Sequence, residues 1–498
     1  MAPARLQFDM TFRPAGPARR REDAPMRLLL LADLGGDRAV PLRHRKPLAV
    51  DIDNFDAVLA RVAPRLTLAL DGQRLDIGFA SLEDFHPDRL FARLPVFDAL
   101  RRMRDEARDP SQFRRVAAAL GIAPAAAPAP AAPAAAADAA DDIQRLLGRA
   151  PSAPAAAAPA APAGGTAALL DRWLHDLVAP HTRPDTAHEQ RALVDAIDAA
   201  LATLMRRVLH DGAFRALESA WLGADRLVRG LELGDTLHLS VLDVSRAELM
   251  DDLVTHRADL GGSALHALLR PAGGVEVFPW SLVALDHAFG PGPDDVQALA
   301  ALGALGARAG APLLAGGEPA LAGAADTAAL AEPRRWLAAD DEALAFWQAL
   351  RGAPMARWIG VVLPRVLMRL PYGAGVDPIS AFTFEEMPAH APAGYCWGGG
   401  APALALLAGQ AFQQGGWPLE LGGARDLDDL PSHVYTEDGA RHQQPCAELL
   451  LSEEAGEALL QRGLMPLMSW RQRPAARLLR WQSVAEPPQA LAGLAEPA

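Results

Sequence analysis

The order of apolar and polar residues divides this chain into clear pieces. The run MRLLLLADL (26–34) reads as a strand. Residues Asp53 to Arg65 read as a helix. Asp53 is placed to cap it, Phe55, Val58, Leu59 and Val62 fall at helical spacing, and Pro64 marks its end. LTLAL and RLDIGFA flank Asp71-Gly72, a strong hairpin signal, and residues 87–119 look helical and amphipathic. Helices are expected near 167–178, 186–209 and 212–230, then at 294–308 and 340–351. Strands are expected at LHLSVLDV (237–244) and GVEVFPWSLVAL (274–285), and WIGVVLPRVLMRL (358–370) reads as a buried strand running into a turn. Residues 445–485 alternate strand-like and helical pieces. The result is an α+β chain (mixed α/β) with no clean βαβ series and no internal repeat.

Periodicity stops in the middle of the chain. Residues 121–140 and 150–165 are almost entirely Ala, Pro and Gly, a composition with no core-forming side chains and with prolines that block helix. They read as a semi-stiff linker. The expected organisation is a first module at 1–120, a linker at 121–165, a second module at 166–485 and a disordered tail at 486–498. Inside the linker, DDIQRLLGR (141–149) places Ile143, Leu146 and Leu147 on one helical face. It is either an incidental turn or a short docking helix.

Composition narrows the function classes. A chain of 498 residues exceeds one ordinary core, and a net charge of −13 argues against nonspecific nucleic-acid binding. The two cysteines, Cys396 and Cys446, form no disulfide framework, so a reducing cytoplasm is expected. The N-terminus has no apolar core of a signal peptide, and no run suits a membrane span.

One string resembles catalytic machinery. Gly394-Tyr395-Cys396-Trp397-Gly398 fits the cysteine version of a nucleophile elbow, with Asp426, Asp428, Asp429 and His433 following in hydrolase order. The residues before it, EEMPAHAPA (385–393), read as a loop where an elbow needs a central strand. Packing of Cys396 and Trp397 in a core is the alternative. The spacing of His175, His181 and His188 suits no zinc site, and the Gly-rich strings lack a phosphate-cradling pattern, so no cofactor is expected. Acidic pairs such as Glu385-Glu386 read as solvated faces or helix starts.

The longer strings resemble a known family. LRHRKPLAVDIDNFDAVLARVAPRL (42–66), with Asp53, Asn54, Phe55, Pro64 and Arg65, and FASLEDFHPDRL (79–90) resemble the small sheath subunit of type VI secretion, TssB-like. AFRALESAWLGADRLVRG (213–230), with Leu217, Glu218 and Trp221, is similar to the large subunit, TssC-like. In the same order follow LPRVLMRLPYG (Pro364, Arg365, Pro371, Tyr372), FTFEEM (Glu385, Glu386), YCWGGGAPA (Trp397), GGWPLELGG (Trp417), LPSHVY and RGLMPLMSW. Large subunits of the family commonly carry Arg after the tryptophan, where this chain has Leu222. They also continue well beyond the region where this sequence ends, so a shortened large subunit is expected.

The resemblance implies a structural, non-enzymatic role. The fused small and large modules would form one protomer of a contractile sheath in the bacterial cytoplasm. Expected partners are other sheath subunits, an Hcp-like inner tube protein, a ClpV-type AAA+ ATPase and the baseplate. Neither nucleic acid nor direct membrane insertion is expected. The ATPase would grip LLDRWLHDLV (169–178), where Leu169, Leu170, Trp173, Leu174 and Leu177 make one apolar face. The same helix could instead pack on its own domain. A non-polymerising sheath- or baseplate-associated accessory and a cysteine α/β-hydrolase are the alternative functions.

Overall fold

The computed structural model describes residues 24–70, 72–109, 111–120, 189–269 and 280–494. The linker with its 141–149 island, and the expected helix at 167–178 with Leu169, Leu170, Trp173, Leu174 and Leu177, lie outside the described residues. So does the first half of the expected 274–285 strand.

The strands, in chain order, are β1 (Met26–Ala32), β2 (Leu48–Val50), β3 (Arg65–Leu70), β4 (Gln73–Gly78), β5 (Leu237–Asp243), β6 (Leu282–Phe289), β7 (Leu313–Gly317), β8 (Ile359–Leu363), β9 (Val366–Leu367), β10 (Trp397–Gly398), β11 (Asp426–Leu427), β12 (Val434–Glu437), β13 (Ala440–Gln443), β14 (Met465–Ser469) and β15 (Ala476–Leu478). Nine of them form one sheet in the order β11-β15-β14-β8-β7-β6-β1-β5-β2. From β14 to β5 every pairing is parallel, and antiparallel strands close both edges. The fold is α+β with a mixed principal sheet.

β1 lies inside this sheet, hydrogen-bonded to β5 from Met26↔Leu237 to Ala32↔Asp243 and to β6 from Leu28↔Leu282 to Leu31↔Leu285. A parallel strand with neighbours on both sides is buried on both faces, which explains why MRLLLLA carries no alternation. Leu29 and Leu31 join a core built with the helices Arg246–Thr255, Ala264–Leu269, Pro293–Ala309, Ala345–Arg351 and Glu453–Gln461. The Gly400–Gly415 helix packs on β1, β6 and β7 and against the Gly212–Gly230 helix.

The chain forms two compact units that do not follow the sequence modules. The larger holds residues 24–93, 205–381 and 385–494; the smaller holds 94–120, 189–204 and 382–384. In the smaller, Arg104 on the Asp98–Arg108 helix binds Asp198 through Nε at 2.5 Å and Nη2 at 3.2 Å, both side chains buried, and the rings of Phe382 and Phe384 sit 5.7 Å apart.

Two local expectations are corrected. The helix Phe55–Val62 has Asn54 at its N-cap position with no side-chain capping bond, and it is Asp51, not Asp53, whose Oδ1 accepts the N–H groups of Asp53 and Asn54 at 3.0 Å each. The Asp53 side chain points to solvent. The expected disordered tail is ordered over its described part, residues 486–494. Leu491 and Leu494 are buried, the Ala492 N–H donates to Arg357 O at 2.8 Å, and Glu486 pairs with the buried Arg351. Two leucines anchor a segment whose composition otherwise reads as loose.

Candidate functional site: the seam between the two sequence modules

Many of the residues that the sequence singles out gather where segment 24–93 meets residues 205–381 and 385–494, all within the larger unit. The Gly212–Gly230 helix is the organising element. Asp211 caps it, accepting from the N–H groups of Ala213 at 2.8 Å and Phe214 at 3.2 Å. This fixes the register that buries Phe214, Leu217, Glu218 and Trp221 on one side.

Trp221 is fully buried, packs edge-on against Phe55, and donates from Nε1 to Leu34 O at 3.1 Å. Leu217 lies against Gly35, whose φ of +71° and close neighbour leave no room for a side chain: a Cβ there would sit 2.9 Å from Leu217 Cδ1. Phe79 and Phe85 stack at 4.0 Å and both meet Phe214. Arg65 turns its side chain outward while its N–H donates to Gly35 O at 2.8 Å, and Pro64 is buried beside it.

Polar contacts lock the same seam. Asp88 accepts from Ser380 N at 3.0 Å, Ser380 Oγ at 2.8 Å and Ala381 N at 2.9 Å. Arg45 binds Glu248 at 2.5 Å and Asp243 O at 2.8 Å; Arg38 reaches Asp243 and Glu248 at 3.0 Å each. Burial would raise Glu248, but hydrogen bonds from Arg45 and Ser245 and the charge of Arg38 bring it down to about 2. Trp417 Nε1 donates to Ala24 O at 2.9 Å.

Behind Trp221 lies a buried charge cluster. Arg369 Nε donates to Glu218 Oε1 at 2.7 Å and its Nη1 to Glu386 Oε2 at 2.7 Å. Tyr372 lies under the guanidinium at 4.4 Å, its N–H bonds Glu386 at 2.9 Å, and its ring meets His86 edge-on at 5.0 Å. Burial opposes the charge on Arg369, yet the two carboxylates raise its affinity for the proton. For Glu386, burial is outweighed by Arg369, by His210 3.5 Å away and by the hydrogen bond from the Tyr372 N–H, so it falls to about 2. For Glu218, burial wins over Arg369 and pushes the carboxyl up. Thus Glu218, Tyr372 and Glu386, far apart in sequence, are held on one arginine. This corrects the reading of Glu385-Glu386 as a solvated pair for Glu386, which is 1% exposed. Glu385 stays exposed, accepts the Ala374 N–H at 3.0 Å, and its backbone carbonyl takes a bond from Arg206 at 2.9 Å.

Other singled-out residues stand apart. Trp397 packs with Leu367 and Tyr395, Arg365 is exposed and bound by Glu448, and Pro364 and Pro371 are buried. Arg369, Arg45, Asp88 and Phe214 lie inside the strings quoted above, but their pairings depend on distant elements that no local pattern reveals.

The elbow reading is not favoured. Cys396 is buried, and burial and then Glu218 push its thiol well up. Its Sγ lies 4.0 Å from Arg215 O, while His433 Nδ1 is engaged by the Tyr395 hydroxyl at 2.6 Å. A nucleophile needs a thiolate and a base beside it. Among the described residues there is no cluster suited to a metal ion, and no described helix is long and apolar enough to cross a membrane.

Comparison with known proteins places both halves. Residues 191–485 match the family described as VipB, tail sheath N-terminal domain. The chain belongs to this tail sheath family. Residues 3–112 match a second one, the type VI secretion system VipA family. The chain is 28% identical over 312 residues to the type VI secretion system sheath protein TssC1 of Pseudomonas aeruginosa, covering 61% of this chain and 63% of that protein. It is 38% identical over 80 residues to sheath protein TssB1 of the same organism, 14% of this chain and 46% of that protein. It therefore spans less than two thirds of either relative while carrying both subunit types, fused, in one polypeptide.

Proposed function

We propose that this protein is a structural, non-catalytic building block of a type VI secretion sheath, a fused small/large protomer that assembles with further copies or other sheath subunits around an inner tube in the bacterial cytoplasm. The observation that carries the reading is β1. A strand from the TssB-like segment is hydrogen-bonded on both sides within the sheet of the TssC-like segment, so residues of both halves share one sheet. Fusion also raises the effective concentration of the halves to about the millimolar range. An Hcp-like tube protein, a ClpV-type ATPase acting on residues 169–178, and the baseplate are the partners that this role calls for. The singled-out residues serve the protomer as packing and seam positions.

Electron microscopy of the purified protein, alone and with an inner tube protein, tests this. Rings or tubules are expected. Discrete particles under conditions where separate sheath subunits polymerise would overturn it.

A further inference from the structure

The carboxyl ends of β6, β7 and β8 open into a crevice of about 600 Å³. In an open parallel sheet such ends are where ligands bind. A volume of this size suits a small molecule or a side chain with its flanking backbone.

The floor of the crevice carries Asp286. Protein packs densely around its carboxylate, which keeps only partial exposure, toward the cavity. Among the described residues, the group that favours its charged form is the Gly399 N–H, at the start of the Gly400–Gly415 helix. Burial outweighs that bond and pushes the carboxyl up to about 6. Among the described residues no cation pairs with it. Arg215 is taken up by the carbonyls of His210 and Ala393, and Arg365 by Glu448. His287 turns to Val244 O at 3.0 Å. Glu318 adds an exposed second carboxylate at the rim. An anionic ligand is disfavoured, because Asp286 already occupies the helix N-terminus where an anion would sit. Tyr395 and Trp397, both buried, border the crevice.

We propose that this crevice binds a guanidinium group, either on an arginine side chain or on a free guanidine compound. A planar guanidinium forks a carboxylate through two parallel N–H donors, and Asp286 offers a carboxylate with no cation of its own among the described residues.

Titration calorimetry on the full chain tests this with N-acetyl-argininamide and its neutral isostere N-acetyl-citrullinamide, in wild type and Asp286→Asn. Saturable binding of the arginine probe alone is expected, weakened at least about tenfold by Asp286→Asn. Equal binding of both probes, no saturable binding of the arginine probe, or unchanged affinity in Asp286→Asn would overturn it. Glu318→Gln, at an exposed position, is expected to weaken binding severalfold and serves as the readout should Asp286→Asn not fold; unchanged affinity there then counts against the site. Tighter binding of a blocked Gly-Arg-Gly peptide than of the single residue assigns the group to a protein partner, and equal binding assigns it to a free compound. The measurement involves no polymerisation, so it stands or fails apart from the sheath reading.

Discussion

Phe55 meets Trp221 edge-on, with ring centroids 5.9 Å apart and planes at 89°. One ring comes from the TssB-like segment and the other from the TssC-like segment, and Trp221 is 0% exposed. Trp221→Ala should cost about 3–5 kcal/mol of stability through the cavity that it leaves. Trp221→Phe keeps most of the packing but orphans Leu34 O, for about 1–2 kcal/mol. Urea unfolding followed by circular dichroism measures both, and two equal, small losses would count against the seam as described.

Arg369 is the counter-ion of two buried acids. Arg369→Met leaves Glu218 and Glu386 facing each other without it, and a loss of about 3–5 kcal/mol is expected. The triple change with Glu218→Gln and Glu386→Gln should recover part of that loss, since it removes the stranded charges. Failure of any recovery in the same unfolding assay would show that shape, not charge, sets the cost.

Acid sensitivity has a definite sign. Glu386 sits at about 2 in the folded protein against an ordinary 4.5. Its stabilising contribution is complete above 4.5 and is lost as pH falls from there toward 2. Glu386→Gln should therefore flatten the stability profile in that window. Asp286 runs the other way: raised from 3.8 to about 6, its ionised form costs stability above pH 6, and that cost fades as pH falls to 3.8. Asp286→Asn should be more stable than wild type at pH 8 and equal to it near pH 3.8. Thermal midpoints across pH check both profiles, and an Asn variant less stable at pH 8 would contradict the second.

Cutting the chain should not part its halves. A protease site engineered into 121–165 and cleaved under native conditions should leave two pieces that co-elute in gel filtration, because β1 is bonded along both edges. Two separate peaks without denaturant would refute this.

Much of this architecture was legible locally. The apolar run of β1, the β3–β4 hairpin and the helix after Asp211 all follow from short-range pattern and turn chemistry. What stayed hidden depends on distance along the chain. Nothing in MRLLLLA says that its neighbours are residues 237–243 and 282–285. Glu386 looks like any surface acid until Arg369 is placed beside it, and Asp51 replaces Asp53 as the helix-start acceptor because the turn, not the spacing, sets where N–H groups converge. The order at 486–494 rests on two leucines finding a groove that other segments build.

The central place of β1 also sets a timetable for biogenesis. Both of the strand's hydrogen-bonding neighbours are translated long after it. At about 5–20 residues per second, Met26 waits on the order of ten to forty seconds for its partner Leu237. During that interval a leucine-rich strand lacks its partners, so holding it in solution, by chaperones or by the rest of the nascent first module, is a task imposed by translating the strand so far ahead of its neighbours.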